Sequence, residues 1–218
     1  NYIMLVGKVT SEKKISHEIY GESFFNFDLE IPRLSGISDI IPITISERLI
    51  ANFDLSIGKQ VVIEGQFRSY NAYEDSRSRL VLTEFVKENR EKGEDEDIKI
   101  PNEVHLVGHI CRKPIYRKTP FGREIADILV AVNRAYNKSD YIPCITWGRN
   151  ARFCEDMPIG TELKLVGRVQ SRPYEKKHED GTVETRIAYE VSISSLEFVN
   201  KEDEENHSEE VIKAEEAM

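Results

Sequence analysis

The sequence predicts an all-β protein in which one small barrel occurs twice in tandem. The first observation is an internal repeat, seen when the chain is laid over itself with a shift of 101, rising later to 102. The matches keep their order along the chain and pair residues 5–7 with 106–108, Gly21 with Gly122, Arg33 with Arg134, residues 41–42 with 142–143, Gly65 with Gly167 and Ser69 with Ser171. A final match pairs residues 84–86 with 197–199. An ordered series of this kind indicates a duplicated domain.

The second observation is strand-like alternation of apolar and polar residues within each copy. It is clearest in residues 25–31 and 183–193. Only residues 47–53 and 149–154 lie between predicted strands and suit a short helix. Gly7 and Gly108 interrupt the two opening strands, which predicts a bulge or sharp bend at each. Five strands, a short helix before the fourth and a bent first strand are typical of the OB-fold, a five-stranded Greek-key barrel.

The charge distribution divides the chain into four parts. The net charge of −9 by itself argues against a nucleic-acid partner. Counted by segment, however, it is −3 over residues 1–89, −2 over 90–101, +2 over 102–199 and −6 over 200–218. We therefore predict a first barrel, a charged linker, a mildly basic second barrel and a disordered acidic tail, with these boundaries.

Several classes of protein are disfavoured. No run of about 20 apolar residues and no signal sequence is present, so neither a membrane protein nor a secreted one is expected. Three cysteines without CxxC spacing, Cys111, Cys144 and Cys154, fit a reducing cytoplasm. His105 and His109 lie four apart without further ligands at metal-site spacing. No phosphate-binding loop or nucleophile motif appears, so we expect neither an enzyme nor a cofactor.

The second half of the chain resembles the bacterial single-stranded-DNA-binding protein (SSB) family. Five stretches carry the resemblance: residues 102–110 (NEVHLVGHI), 117–122 (RKTPFG), 131–134 (AVNR), 141–151 (YIPCITWGRNA) and 165–174 (LVGRVQSRPY). They span most of residues 102–199. The first half resembles a diverged member through residues 5–7, 41–42 and 64–68 (EGQFR).

The resemblance implies sequence-independent binding of single-stranded DNA, in which bases stack on aromatic rings and Lys or Arg follows the phosphates. The implied stacking residues are Tyr136, Tyr141, Trp147 and Tyr174. Arg149 stands where the family has a basic residue, and the further implied phosphate contacts are Arg112, Arg117, Arg123, Arg134, Arg172, Lys176 and Lys177. The family also implies a nucleoid-associated homodimer with four barrels, and an acidic tail that recruits replication and repair proteins. This chain, however, ends without the terminal aromatic residue.

The residues alone leave alternatives open. Trp147, the sole tryptophan, fits a buried core position as well as a stacking position, and Tyr136 and Tyr141 fit ordinary surface tyrosines. The first copy has Ser46 in place of Trp147 and Ile40 in place of Tyr141, which predicts a role in assembly or weak DNA binding. Besides DNA binding in replication, recombination or repair, two hypotheses remain. One is a scaffold or primosome-like protein acting through protein–protein contacts, and the other is RNA binding.

Overall fold

The computed structural model describes residues 1–74, 77–178 and 181–199, and it confirms two tandem all-β barrels. The first half contains β1 (Tyr2–Val9), β2 (Lys14–Ile19), β3 (Glu22–Pro32), β4 (Ser38–Ser46), α1 (Glu47–Ile50), β5 (Gln60–Glu74) and β6 (Arg77–Glu91). The second half contains β7 (Asn102–Ile110), β8 (Ile115–Lys118), β9 (Glu124–Arg134), β10 (Lys138–Trp147), α2 (Gly148–Cys154), β11 (Glu162–Lys177) and β12 (Val183–Phe198). Helix α1 falls within the predicted segment 47–53, and α2 begins one residue before the predicted segment 149–154.

Each half closes into a ring of five strands. In the first, β1 pairs with β3, β3 with β4, β4 in parallel with β6, β6 with β5, and β5 again with β1. The second repeats this ring with β7, β9, β10, β12 and β11. In addition, β2 and β8 each form a short hairpin with the following strand, outside the ring. This is the predicted OB-fold with one added hairpin strand per barrel.

Gly7 and Gly108 allow the opening strand of each barrel to bend across to a second partner. Directly after Gly7, β1 begins to pair with β3, through Lys8 and Glu30. A Cβ at Gly7 would collide with the backbone oxygen of Glu30, and one at Gly108 would lie 2.5 Å from that of Ala131. The glycines therefore permit a close approach of two backbones at a bend. The register shifts of the strand pairings lie elsewhere, at Glu64/Gly65 and Val166/Gly167 in the two rings and at Ile15/His17 in the β2–β3 hairpin.

The last match of the sequence repeat is wrong. Gly65 lies opposite Val86, whereas its counterpart Gly167 lies opposite Ile193. Residues 84–86 therefore correspond to 191–193, not to 197–199. The extra residues of the second copy lie in the hairpin between β11 and β12, where added length does not disturb barrel pairing. The two identical Glu-Phe-Val triplets therefore do not occupy equivalent positions in the two barrels.

The two barrels join through their opening strands. β1 and β7 pair antiparallel, so that all twelve strands form one continuous sheet. Ile3 lies opposite Val104, its own counterpart in the repeat, and both are fully buried. A pseudo-two-fold axis therefore passes through this pair. The connecting segment after β6 is tied to the first barrel, because the N–H of Val6 donates to the carbonyl of Pro101 at 2.7 Å.

The core of the first barrel contains a carboxyl group, that of Glu84 on β6. Its side chain is fully buried, and neither oxygen has a hydrogen-bond partner among the described residues. Burial, and secondarily the charge of Glu64, raises the pKa of Glu84 well above its usual value. Glu84 therefore remains protonated in the folded protein at pH values where the unfolded chain releases the proton.

This carboxyl predicts a loss of stability with rising pH. Above the unfolded pKa of about 4.3, unfolding releases the proton of Glu84, so the free energy of unfolding falls until the pH reaches the folded pKa. We expect Glu84→Gln to remove this loss, so its stability relative to wild type grows between pH 5 and pH 8. Urea unfolding at both pH values measures it. Glu88→Gln, at an exposed carboxylate of the same strand, is the matched control. An equal difference at both pH values would contradict the prediction.

Within the described ranges no helix is both long and apolar enough to cross a membrane. The predicted acidic tail, residues 200–218, lies outside the described residues.

Candidate nucleic-acid interface

The strand β10 has one face in the core of the second barrel and one face outside it. Its core face carries Ile142, Cys144 and Thr146, all nearly or fully buried. Its outer face carries Tyr141, Pro143, Ile145 and Trp147, because successive side chains of a strand alternate. Tyr141 is 47% exposed and Trp147 41%. The open question about Trp147 is therefore answered: its ring lies at the surface, not in the core.

Local backbone geometry fixes where Trp147 sits. Trp147 has extended backbone (φ −128°) and is the residue before α2, while Gly148 turns sharply with φ +55°. That left-handed conformation favours glycine. The chain therefore leaves the sheet directly after Trp147, which places the indole at the end of the strand. Arg149 follows on α2 and is exposed.

Neighbouring strands extend this outer face on both sides. Arg117 on β8 lies opposite Ile125, which lies opposite Trp147. Directly opposed residues of antiparallel strands share a face, so these three side chains form one row. On the other side, β10 pairs with β12, and β12 pairs with β11. β11 keeps an unbroken register from Gly167 to Lys177, and alternation groups its side chains of Arg172, Tyr174 and Lys176.

A cleft links the two sides. It has a volume of about 430 Å³ and contains Pro143 of β10 together with Arg172 and Tyr174 of β11. Its remaining walls come from residues 187–190 and from residues 80–82 of the first barrel. Tyr174 is 38% exposed here. We call the combined surface of Tyr141, Pro143, Trp147, Arg172, Tyr174 and Lys176 the β10–β11 face.

The arginines of this region are held by carboxylates but remain accessible. The Arg172 guanidinium lies 3.6 Å from Glu190, and that of Arg117 lies 3.0 Å from Asp127. Both arginine side chains are about half exposed. The Arg117–Asp127 pair is partly exposed on both sides, and such a pair contributes only about 0–1 kcal/mol, so exchange of Asp127 for a phosphate group is inexpensive. The Glu190 side chain, in contrast, is only 9% exposed and also accepts a hydrogen bond from Gln170 at 2.7 Å, so it stays in place while the exposed part of the Arg172 guanidinium faces solvent.

The remaining predicted residues lie around this face or away from it. Tyr136 is 93% exposed in the turn between β9 and β10, where its φ of +62° is left-handed. Arg112 and Arg123 are exposed near the β8–β9 hairpin. Lys177 alternates to the opposite face of β11 from Lys176. Arg134 lies at the junction of the two barrels, with its Nε 3.4 Å from the buried carboxylate of Asp140.

Sequence reasoning missed one group of side chains. In the first barrel the Phe24 ring contacts both His17 and Phe85, and Arg68 lies above Phe85. Comparison of the two copies position by position finds Ser46 where the second copy has Trp147, and it does not reach the residue on the adjacent strand. The available signal was Phe24, which lies opposite Ser46 on the neighbouring strand.

The two histidines of β7 are engaged with carboxylates. His105 Nε2 lies 3.1 Å from Glu103 and His109 Nε2 lies 3.8 Å from Glu162. Across the described residues, no group of three or more potential ligands is arranged to hold a metal ion.

Comparison with known proteins identifies relatives of the second half of the chain. A model of the single-strand binding protein family matches residues 101–199. The "Single-stranded DNA-binding protein" of Oceanobacillus iheyensis is 34% identical over 105 residues, which cover 45% of this chain and 63% of that protein. "Single-stranded DNA-binding protein 3" of Clostridium acetobutylicum is 31% identical over 114 residues, which cover 49% of this chain and 76% of that protein.

A solved structure shares the whole two-barrel fold. The wild-type single-stranded DNA binding protein from Thermus aquaticus superposes with a TM-score of 0.73 at 18% identity, covering 92% of this chain and 93% of that one. This likeness concerns the fold. Against the first sequence relatives the chain spans less than two thirds of their length, 63% for the Oceanobacillus iheyensis protein and 61% for the Bacillus subtilis protein.

Proposed function

The chain belongs to the single-strand binding protein family, and from that premise we propose that it binds single-stranded DNA without sequence preference and protects it. The observation that carries the proposal is the exposed β10–β11 face, where the aromatic rings of β10 and β11 occur together with cationic side chains of β11. Bases of any sequence offer a flat ring to Tyr141, Trp147 and Tyr174, and each such contact is worth about 1–3 kcal/mol. No base edge needs to be read.

The proposed phosphate contacts flank the rings. Arg172 and Lys176 share the face of Tyr174, Arg117 shares the row of Trp147, and Arg149 follows on α2. Tyr136, Arg112 and Arg123 extend the path at the exposed loops. A single strand of DNA whose bases stack along β10 would thus have cations on both sides of it, although the protein as a whole has a net charge of −9.

Titration with oligo-dT tests the proposal. Trp147 is the sole tryptophan, so its fluorescence reports on the proposed site alone. We expect saturable quenching below micromolar concentrations at low salt, and a log–log salt slope of about −0.7 per phosphate contact. A matched RNA oligomer separates DNA from RNA binding. Absence of quenching and of binding at low salt would refute the proposal and favour the scaffold hypothesis.

Two adjacent lysines allow a matched comparison. Lys176 shares the face of Tyr174, whereas Lys177 points to the other side of β11. We expect Lys176→Ala to weaken oligo-dT binding and to reduce the magnitude of the salt slope by about 0.7. Lys177→Ala removes the same charge and should leave the slope unchanged. Equal effects of both variants would mean that the hairpin attracts DNA by general charge only.

The wider setting is part of the same proposal. We place the protein in the cytoplasm, on the nucleoid, in replication, recombination or repair. The pairing of β1 with β7 already relates the two barrels of one chain by a pseudo-two-fold axis. A homodimer of two such chains would contain four barrels. The acidic tail is proposed to contact replication or repair proteins. Analytical ultracentrifugation gives the first answer, since a monomer at micromolar concentration would rule out the dimer.

A further inference from the structure

A group of side chains on the first barrel has no counterpart in the second. His17 of β2 stacks on Phe24 of β3 with ring centroids 4.9 Å apart and planes 7° apart. Phe24 in turn contacts Phe85 of β6 at 5.6 Å. The Arg68 guanidinium lies 3.9 Å from the centre of the Phe85 ring, and Lys87 Nζ lies 5.1 Å from it. We call these residues the first-barrel cluster.

The cluster occupies a position equivalent to the β10–β11 face. Ser46 is the counterpart of Trp147, and the residue opposite Ser46 is Phe24, just as Ile125 is opposite Trp147. Opposed residues of neighbouring strands share a face. The aromatic ring is therefore not lost from the first copy, as the sequence suggests, but moved to the adjacent strand. One barrel has Trp–Ile across this strand pair, and the other has Ser–Phe.

The cluster borders an open cleft of suitable chemistry. The cleft has a volume of about 480 Å³, and its lining includes His17, Arg68, Tyr70, Phe85 and Arg134. Two arginines and a histidine line it, but no carboxylate does among the described residues. This composition complements a polyanion with flat apolar groups. Arg134 comes from the second barrel, so the cleft joins the two halves.

We infer that the first-barrel cluster is a separate base-stacking site for single-stranded DNA, with His17 as its exposed platform. One face of the His17 ring is covered by Phe24, which holds the ring flat, and the residue as a whole is exposed. A base stacks on the free face, while Arg68, Lys87 and Arg134 meet its flanking phosphates. This inference rests on the proposed function and adds to it a second contact with the same strand.

A comparison of short and long oligomers tests the site. The variant is His17→Ala with Arg68→Gln, because the second barrel carries Gln170 at the position of Arg68. The matched control, His109→Ala with Lys99→Gln, removes one imidazole and one positive charge elsewhere. With labelled dT of about 8 nucleotides, within the range that one OB-fold covers, we expect unchanged quenching of Trp147. With dT of about 35 nucleotides, we expect the variant, but not the control, to bind about 5- to 100-fold more weakly.

The outcomes separate this inference from the proposed function. If oligo-dT does not quench the Trp147 fluorescence of the wild-type protein, both the proposed function and the inference are overturned. Normal quenching with equal binding of variant and control to the long oligomer would overturn the inference alone. An equal loss for short and long oligomers would also overturn it, since the effect would then lie in the second barrel.

Photo-crosslinking gives a test that needs no variant. With an oligomer of 5-iodo-deoxyuridine and wild-type protein, we expect cross-linked peptides that contain His17 or Phe85, in addition to those that contain Trp147 or Tyr174. Cross-links confined to the second barrel at saturating oligomer would overturn the inference.

Discussion

Replacement of Trp147 and Tyr174 by alanine together is expected to weaken binding of oligo-dT about 30-fold to 10⁴-fold. The two rings each offer a stacking face worth about 1–3 kcal/mol, and a loss of about 1.4 kcal/mol lowers affinity tenfold. Both rings are partly exposed, so their removal opens no cavity in the barrel core. The loss of affinity should therefore occur without a comparable loss of stability.

The control keeps the rings and changes their chemistry. Trp147→Phe with Tyr174→Phe retains two flat faces, so it should bind within a few-fold of wild type. Because the tryptophan is absent from both variants, binding is measured by anisotropy of a labelled oligomer, and folding by urea unfolding. If the phenylalanine variant loses as much affinity as the alanine variant, stacking is not the source of the binding energy.

The sequence predicts most of the fold because the repeat and the strand periodicity are local signals. Gly7 and Gly108 occupy matching positions, and both mark the bend that closes a barrel. The exposure of Trp147 depends on which face of β10 meets the core, which alternation alone does not decide. The presence of an aromatic ring at Phe24, on the strand next to Ser46, could not be predicted for a related reason. The change involves two strands, whereas a comparison of the copies pairs single positions.

The sequence repeat includes residues of the junction between the barrels, but it does not indicate that these residues meet there. Arg33 and Arg134 match in the repeat, as do Ser69 and Ser171. The structure shows that each serine contacts the other barrel, across about 130 residues of chain in one case and about 70 in the other. Such contacts follow from how two barrels pair, and periodicity within one strand carries no information about them.

The junction is held by two buried aspartates in pseudo-symmetric positions. Asp39 is fully buried and accepts hydrogen bonds from Nε of Arg33 at 2.6 Å and from the N–H of Ser171 at 2.6 Å. Asp140 is also fully buried and accepts from the N–H of Ser69 at 2.7 Å. The pairing with arginine differs, however. Nε of Arg134 and Oδ2 of Asp140 lie 3.4 Å apart, and neither has a hydrogen bond among the described residues.

We expect Asp39→Ala to lower the free energy of unfolding by about 3–5 kcal/mol, since it leaves the partly buried Arg33 charge and the Ser171 N–H without their acceptor. Asp140→Ala removes a less well satisfied carboxylate and should cost about 1–3 kcal/mol. Urea unfolding measures both, with Asp97→Ala at an exposed aspartate as the control. Equal costs for the two buried aspartates would show that the difference in arginine geometry has no energetic weight.

The same pair links the junction to the proposed DNA site. Ser69, which donates to Asp140, also accepts a hydrogen bond at 2.7 Å from the N–H of Tyr141, the first aromatic residue of the β10–β11 face. In the first barrel the equivalent bond runs from Ile40 to Ser171 at 3.2 Å and reaches no aromatic residue. Asp140→Ala should therefore weaken oligo-dT binding more than Asp39→Ala under conditions where both variants are folded, even though it costs less stability. The opposite order would mean that the junction supports the fold without positioning Tyr141.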